Sequence, residues 1–183
     1  MIYTEEQRKA LLARAREAIA NRLEKNRIFP ENTGTPGDPE LLKVRAVFVT
    51  LRIGGRLRGC IGSLEARESL WQNVWRMAQQ AAFSDPRFPQ LSSAELPDVV
   101  LEISVLSPFQ DATISGIVPG THGVLIEKAG RSAVFLPQVA PEQGWDRETL
   151  LSELCRKAGL PRDAWKADAK LSSFTAEVFG EQE

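Results

Sequence analysis

The stretch VRAVFVTLRIGGRLRGCIG, Val44 to Gly62, decides how the rest of the chain is read. Val44–Ile53 is β-branched and apolar, Gly54-Gly55 is a tight-turn pair, and Arg56–Ile61 returns, which together signal a β-hairpin. Its register is set by which pairing makes one face apolar. A two-residue turn alone would put Val49 opposite Cys60 and Leu51 opposite Arg58, mixing charge with hydrocarbon. A register one residue longer puts Val49, Leu51 and Ile53 beside Ile61, Gly59 and Leu57. It gathers Thr50, Arg52, Arg58 and Cys60 on the opposite face, and it is the register expected.

Working outward, residues 67–83 carry an apolar stripe at helical spacing (Leu70, Val74, Ala78, Ala81, with Trp71, Trp75 and Ala82), and SDPRFP at 84–89 ends it. DVVLEISVL, 98–106, reads as a strand. The order then recurs. Residues 121–128 and 131–137 form a second hairpin around Ala129-Gly130, DRETLLSELCRKAG (146–159) a helix with Gly159 at its C-terminal end, and LSSFTAEVF (171–179) a last strand. Hairpin, helix and strand thus occur twice, 75 residues apart from Gly55 to Gly130. The expectation is an α+β fold of two pseudo-repeated halves with mainly antiparallel sheet. Upstream, residues 5–25 predict an N-terminal helix: Thr4 and Gln7 make a capping box, Leu11, Ala15, Ala18, Ile19 and Leu23 an apolar stripe, and Arg8, Arg14, Arg16, Glu17 and Arg22 the other faces. NRIFPENTGTPGDPE, 26–40, reads as an irregular loop. The expected organisation is a single domain over 1–183: helix and loop over 1–43, a first half over 44–107, and a second over 108–183.

Composition narrows the function classes. The 183 residues are 43% hydrophobic, enough for a sizeable core, and the charges nearly cancel at −1. No concentrated basic surface marks a nucleic-acid partner. No apolar run approaches the roughly 20 residues a membrane helix needs, and the charged N-terminus lacks the pattern of a secretory signal. Two distant cysteines, Cys60 and Cys155, imply no disulfide framework, so a cytoplasmic location is expected. A lone histidine and two cysteines make a poor zinc centre and cannot hold a clustered iron–sulfur site, and phosphate-binding glycine loops are missing. No metal or cofactor is expected.

FVTL, LRGCIG, AAFSDPRFP, LEISVLSP, HGVLI and FLPQVAPEQGWD, in that order, resemble the AMMECR domain family over about Val44–Phe179. The resemblance implies the same α+β fold in two pseudo-repeated halves, and a family without an established reaction. Microbial members resemble the A component of the three-part AmmeMemoRadiSam set, which implies a Memo-like protein and a radical-SAM protein as partners.

Candidate site residues centre on Cys60. It reads either as a small packed residue in a glycine-lined hairpin or as a nucleophile sharing a face with Arg58 and Arg52, whose charge would favour the thiolate. Cys-His chemistry would need His122, the one histidine, as base; the other reading makes it a turn residue bonded to backbone. Glu102, alone among apolar neighbours, would orient a histidine, pair with Arg58, or lie solvated. Asp85 and Arg87 tie a helix end to a neighbouring loop or join a site. Trp71, Trp75 and Cys155 read as packing. Two functions follow from the residues: a binding or accessory module in which Thr50, Arg52, Arg58, Asp85 and Arg87 take a small molecule or a partner, and an enzyme with Cys60 as nucleophile, His122 as base and Glu102 as orienting acid. A purely structural interaction domain is the third.

Overall fold

The computed structural model describes residues 3–25 and 36–181. The loop expected over 26–40 therefore lies outside the described residues as far as position 35.

The first helix, α1 (Glu5–Lys25), begins on the capping box: Thr4 N–H donates to Gln7 Oε1 at 2.8 Å and Gln7 N–H to Thr4 Oγ1 at 3.3 Å. Leu11, Ala15, Ala18 and Ile19 are fully buried. Arg14, which helical spacing assigns to a solvent face, is only 3% exposed. Its guanidinium stacks over Trp75 at 4.2 Å and Trp71 at 4.8 Å, and burial pushes its pKa down. Flat aromatic faces accept a guanidinium that a periodicity count treats only as charge.

Strands β1 (Val47–Ile53) and β2 (Arg56–Ser63) form the first hairpin. Helix α2 (Leu70–Phe83) follows, starting later than position 67 because Ser69 caps it, its Oγ accepting the Gln72 N–H at 3.3 Å. After β3 (Val99–Leu106) come the two-residue β4 (Gln110–Asp111), the second hairpin β5 (Gly123–Lys128) and β6 (Arg131–Phe135), the short α3 (Val139–Gln143), α4 (Arg147–Lys157), β7 (Lys170–Phe174) and β8 (Ala176–Gly180). The sequence pattern marks neither α3 nor β4. It also reads 171–179 as one strand, whereas the chain leaves its sheet at Thr175, whose N–H and C=O both bond to Ser107. Apolar residues recur on both sides of the break (Leu171, Phe174, Ala176, Val178, Phe179) with no glycine or proline between them, so no chain breaker announces it.

Two four-stranded antiparallel sheets result, in the orders β2-β1-β3-β8 and β4-β7-β5-β6. Reversing the second gives β6-β5-β7-β4, so hairpin, third strand and added fourth strand occupy matching places. The fold is the α+β arrangement of two like halves that the sequence predicts. Each sheet is completed by a strand that follows the other sheet's third strand.

The chain divides into two compact units, Met1–Leu106 with Glu177–Glu183, and Ser107–Ala176. In the first, α1 and α2 bury Leu11, Ile19, Leu70 and Val74 against Val49, Leu51, Leu101 and Ile103 of the sheet. In the second, α4 buries Leu150, Leu151 and Leu154 against Val124, Ile126 and Leu171. No helix among the described residues is long and apolar enough to cross a membrane.

Candidate functional site: the Cys60 strand and its clamp

The first hairpin combines parts of both registers considered from sequence. The turn is the two-residue Gly54-Gly55, closed by Ile53 opposite Arg56 and Arg52 opposite Leu57. A β-bulge then shifts the pairing, with Arg58 as the extra residue, so that Leu51 faces Gly59, Thr50 faces Cys60 and Val49 faces Ile61. The expected pairs at Val49 and Leu51 hold, while Ile53 faces Arg56 rather than Leu57 because the added residue, Arg58, sits three positions beyond the turn. Arg58 leaves the ladder as the odd residue.

The bulge orders LRGCIG residue by residue. The Arg58 side chain, 12% exposed, forks onto Glu95 (Nε to Oε1 2.8 Å, Nη2 to Oε2 3.2 Å) and reaches the Pro89 carbonyl with Nη1 at 3.0 Å. Arg58 and two hydrogen bonds from Ser92 hold the Glu95 carboxyl down to about 2. Gly59 lies against α2: a Cβ there would stand 2.1 Å from the Ala81 carbonyl oxygen. Ile61 packs on the core, and a Cβ at Gly62 would enter the Phe48 ring.

Cys60 sits on an edge strand with its N–H and C=O turned away from β1. The loop after α2 takes both. Asp85 Oδ2 accepts the Cys60 N–H at 2.9 Å, and Arg87 Nη2 donates to the Cys60 carbonyl at 3.2 Å. Arg87 also grips Asp85, Nε to Oδ1 at 2.9 Å and Nη2 to Oδ2 at 2.7 Å. Asp85 is 4% exposed; the Arg87 guanidinium, with backbone N–H groups from Cys60 and Arg87, holds its carboxyl far below the usual carboxylate range. The DPR segment is thus the cap of the β2 edge, which would otherwise present open hydrogen-bonding groups.

The thiol is partly exposed, and the hydroxyl of buried Thr50 donates to Sγ at 3.2 Å. Glu102 faces Thr50 from β3, so Cys60, Thr50 and Glu102 form one row across three strands. Arg52 shares that face and makes no ion pair among the described residues.

The structure therefore gathers Cys60, Thr50, Asp85 and Arg87 in contact, with Glu102 in register beside them. Arg58 pairs with Glu95, not with Glu102. Sequence reasoning passed over Glu95, although a charged residue in an SSAEL loop start is the signal that would have found it. His122 belongs to the second unit. Its Nδ1 accepts the Val118 N–H at 3.1 Å, and its own N–H returns to the Val118 carbonyl at 3.0 Å. Cys155 is fully buried in α4, and burial pushes its thiol up. Among the described residues no group of three or more His, Cys, Asp or Glu could hold a metal ion.

The fold that carries this arrangement is shared with a protein of known structure. An uncharacterized protein of Pyrococcus horikoshii, PH0010, has a crystal structure that superposes with a TM-score of 0.88 at 36% identity, covering 98% of this chain and 93% of that one. A protein of Thermococcus onnurineus is 41% identical over 94% of this chain and 89% of its own length. Protein MK0488 of Methanopyrus kandleri is 37% identical over 98% of this chain and 91% of its own. The AMMECR1 family model matches residues 12–179, a span containing the bulged hairpin, the DPR clamp and both sheets; the chain belongs to the AMMECR1 family.

Proposed function

We propose that this chain is an accessory binding module whose recognition surface is the Cys60–Thr50 face of the first sheet, working beside Memo-like and radical-SAM proteins in the cytoplasm. One observation carries the reading: Cys60 is immobilised at its N–H by Asp85, at its C=O by Arg87 and at Sγ by Thr50, yet its side chain is still partly exposed. A fixed, accessible, small side chain suits a contact point, because little further ordering is needed on binding. A nucleophile would need a base at Sγ. The hydrogen-bond partner found there is a hydroxyl that donates, and the His122 Nδ1 lone pair is taken by Val118. Arg52 on the same face would take a carboxylate or phosphate.

The test is alkylation followed by association. With iodoacetamide on the folded chain, Cys60 should react at about the rate of an ordinary accessible thiol and Cys155 only after denaturation. Sedimentation of the chain with the Memo-like and radical-SAM proteins of its own organism should then show a complex that the Cys60-carbamidomethylated chain no longer forms. Complexes unaffected by the blocked thiol, or none at all, would refute the reading. Alkylation of Cys60 about a hundredfold faster than a free thiol, slowed by His122→Ala, would move the assignment to the enzyme with Cys60 as nucleophile and Glu102 as orienting acid.

A further inference from the structure

We infer that Arg52 and Glu102 form a headgroup site for an apolar α-amino acid, on the face of the first sheet turned away from α1 and α2. The inference rests on the reading of that face as the recognition surface, and it names what the face takes. β1 and β3 pair with Thr50 opposite Glu102 and Arg52 opposite Val100, so Arg52 and Glu102 are diagonal neighbours on one face. Opposite charges so placed stabilise a sheet when they meet. Here they do not meet. Both residues are half-buried, and neither side chain makes an ion pair or a hydrogen bond among the described residues. The nearby charges of β2 and its clamp are all committed: Arg58 is held on Glu95, and Arg87 on Asp85. The Thr50 hydroxyl, between the two strands, is turned to Cys60 Sγ at 3.2 Å. Two half-buried charges of opposite sign thus bear a desolvation cost that no contact offsets among the described residues.

Together the two charges select a ligand. A phosphate on Arg52 would bring its negative charge beside Glu102, and a simple amine on Glu102 would meet Arg52. A group with a carboxylate and an ammonium on one carbon satisfies both: the carboxylate takes the guanidinium fork, and the ammonium donates to Glu102. Diagonal positions in a sheet stand about 7–8 Å apart, a gap that those two contacts and the carbon between them span. The flanks fit this headgroup. Beside Glu102, β8 carries Gly180, where even a Cβ would come within 3.5 Å of the Glu102 Cα and Cβ, so that strand sets no side chain against the carboxylate. Arg52 faces Leu57 across one strand pair and Val100 across the other, and Leu57 is 37% exposed. An apolar side chain on the ligand would lie on that row.

The probes are L-leucine, 4-methylpentanoate, which lacks its amine, and 3-methylbutylamine, which lacks its carboxylate. Each is titrated calorimetrically into the full chain alone. Leucine should bind at least about tenfold more tightly than either, or about 1.4 kcal/mol. Glu102→Gln should bring leucine down to the level of 4-methylpentanoate, and Arg52→Gln should bring it down to the level of the amine. Neither variant breaks a polar contact among the described residues, so both should keep the native unfolding midpoint, and a merely structural role would leave the preference between probes unmoved. The inference is overturned if leucine fails to bind at millimolar concentration, if 4-methylpentanoate binds as well as leucine, or if Glu102→Gln keeps the advantage of leucine. Because no partner protein is needed, the two readings fail separately. A chain that forms the Cys60-dependent complex but ignores leucine loses this ligand and keeps its recognition face; one that binds leucine without forming the complex keeps the ligand and loses the accessory role.

Discussion

The two hairpins turn in the same way and then part. Gly54 and Gly55 have φ of 53° and 72°; Ala129 and Gly130 have 51° and 73°. Both are the left-handed pair of a type I′ turn, 75 residues apart. In the second hairpin the ladder runs regularly from Lys128–Arg131 back to Val124–Phe135. In the first, the Arg58 bulge shifts it. Counted from the turn, Cys60 and Phe135 are the same position. Phe135 faces Val124 and packs on the second core, 5.5 Å from the Trp145 ring. Cys60, displaced by one residue, faces Thr50 instead of Val49 and leaves the core face. A single inserted residue separates a core position from a candidate site, because slipping a strand by one exchanges its faces.

That comparison is broken most severely at Gly59, whose regular counterpart is Val134. Gly59→Val must push against the Ala81 backbone, since even a Cβ would stand 2.1 Å from its carbonyl oxygen. We expect a loss above about 4 kcal/mol, seen as a first unit unfolded in the absence of urea. Val134→Ala, on a half-buried strand position, should cost at most about 1 kcal/mol. A folded Gly59→Val chain would mean that the bulge does not fix α2 against β2. Next in size, Phe135→Ala should lower stability by about 3 kcal/mol, while Cys60→Ala, off the core, should change it by less than about 1 kcal/mol. Equal losses in urea titrations would show that the two positions share an environment after all.

How much of this could be read beforehand follows from the same physics. The hairpin, its Gly-Gly turn and the pairing of Val49 with Ile61 are legible, because alternation is a local signal. The bulge is legible only indirectly, as the conflict between a two-residue turn and an apolar face. The clamp is not. Asp85, Arg87 and Glu95 lie 25 to 37 residues from the β2 groups they bind, and sequence spacing says nothing about which loop returns to which edge. The same blindness placed Arg14 in solvent, since two tryptophans 57 and 61 residues away decide its burial. The break at Thr175 is hidden because no glycine or proline marks the change of sheet.

The clamp makes the first hairpin acid-sensitive. Asp85 and Glu95 hold protons less tightly folded than unfolded, so their contribution is fully present above the ordinary carboxylate range, about 4, and is lost as pH falls through it toward their lowered values. Asp85→Asn should cost about 2 kcal/mol at neutral pH and flatten the decline in stability between about pH 5 and 2. If the variant and the native chain lose stability in parallel on acidification, Asp85 is not the group being titrated.

The smallest effect is the cleanest comparison of the two turns. A left-handed conformation brings Cβ toward the following carbonyl and costs a non-glycine residue about 1 kcal/mol. The first turn avoids this with Gly54; the second accepts it at Ala129. A methyl added at Gly54 would meet nothing within 4 Å, so Gly54→Ala tests backbone strain alone. It should destabilise the first unit by about 1 kcal/mol, and Ala129→Gly should stabilise the second by somewhat less, because glycine also frees the unfolded chain. Opposite signs in paired urea melts are the expected result. If Ala129→Gly instead destabilises, the Ala129 methyl makes contacts that outweigh its strain, and the two turns are alike in shape but not in energetics.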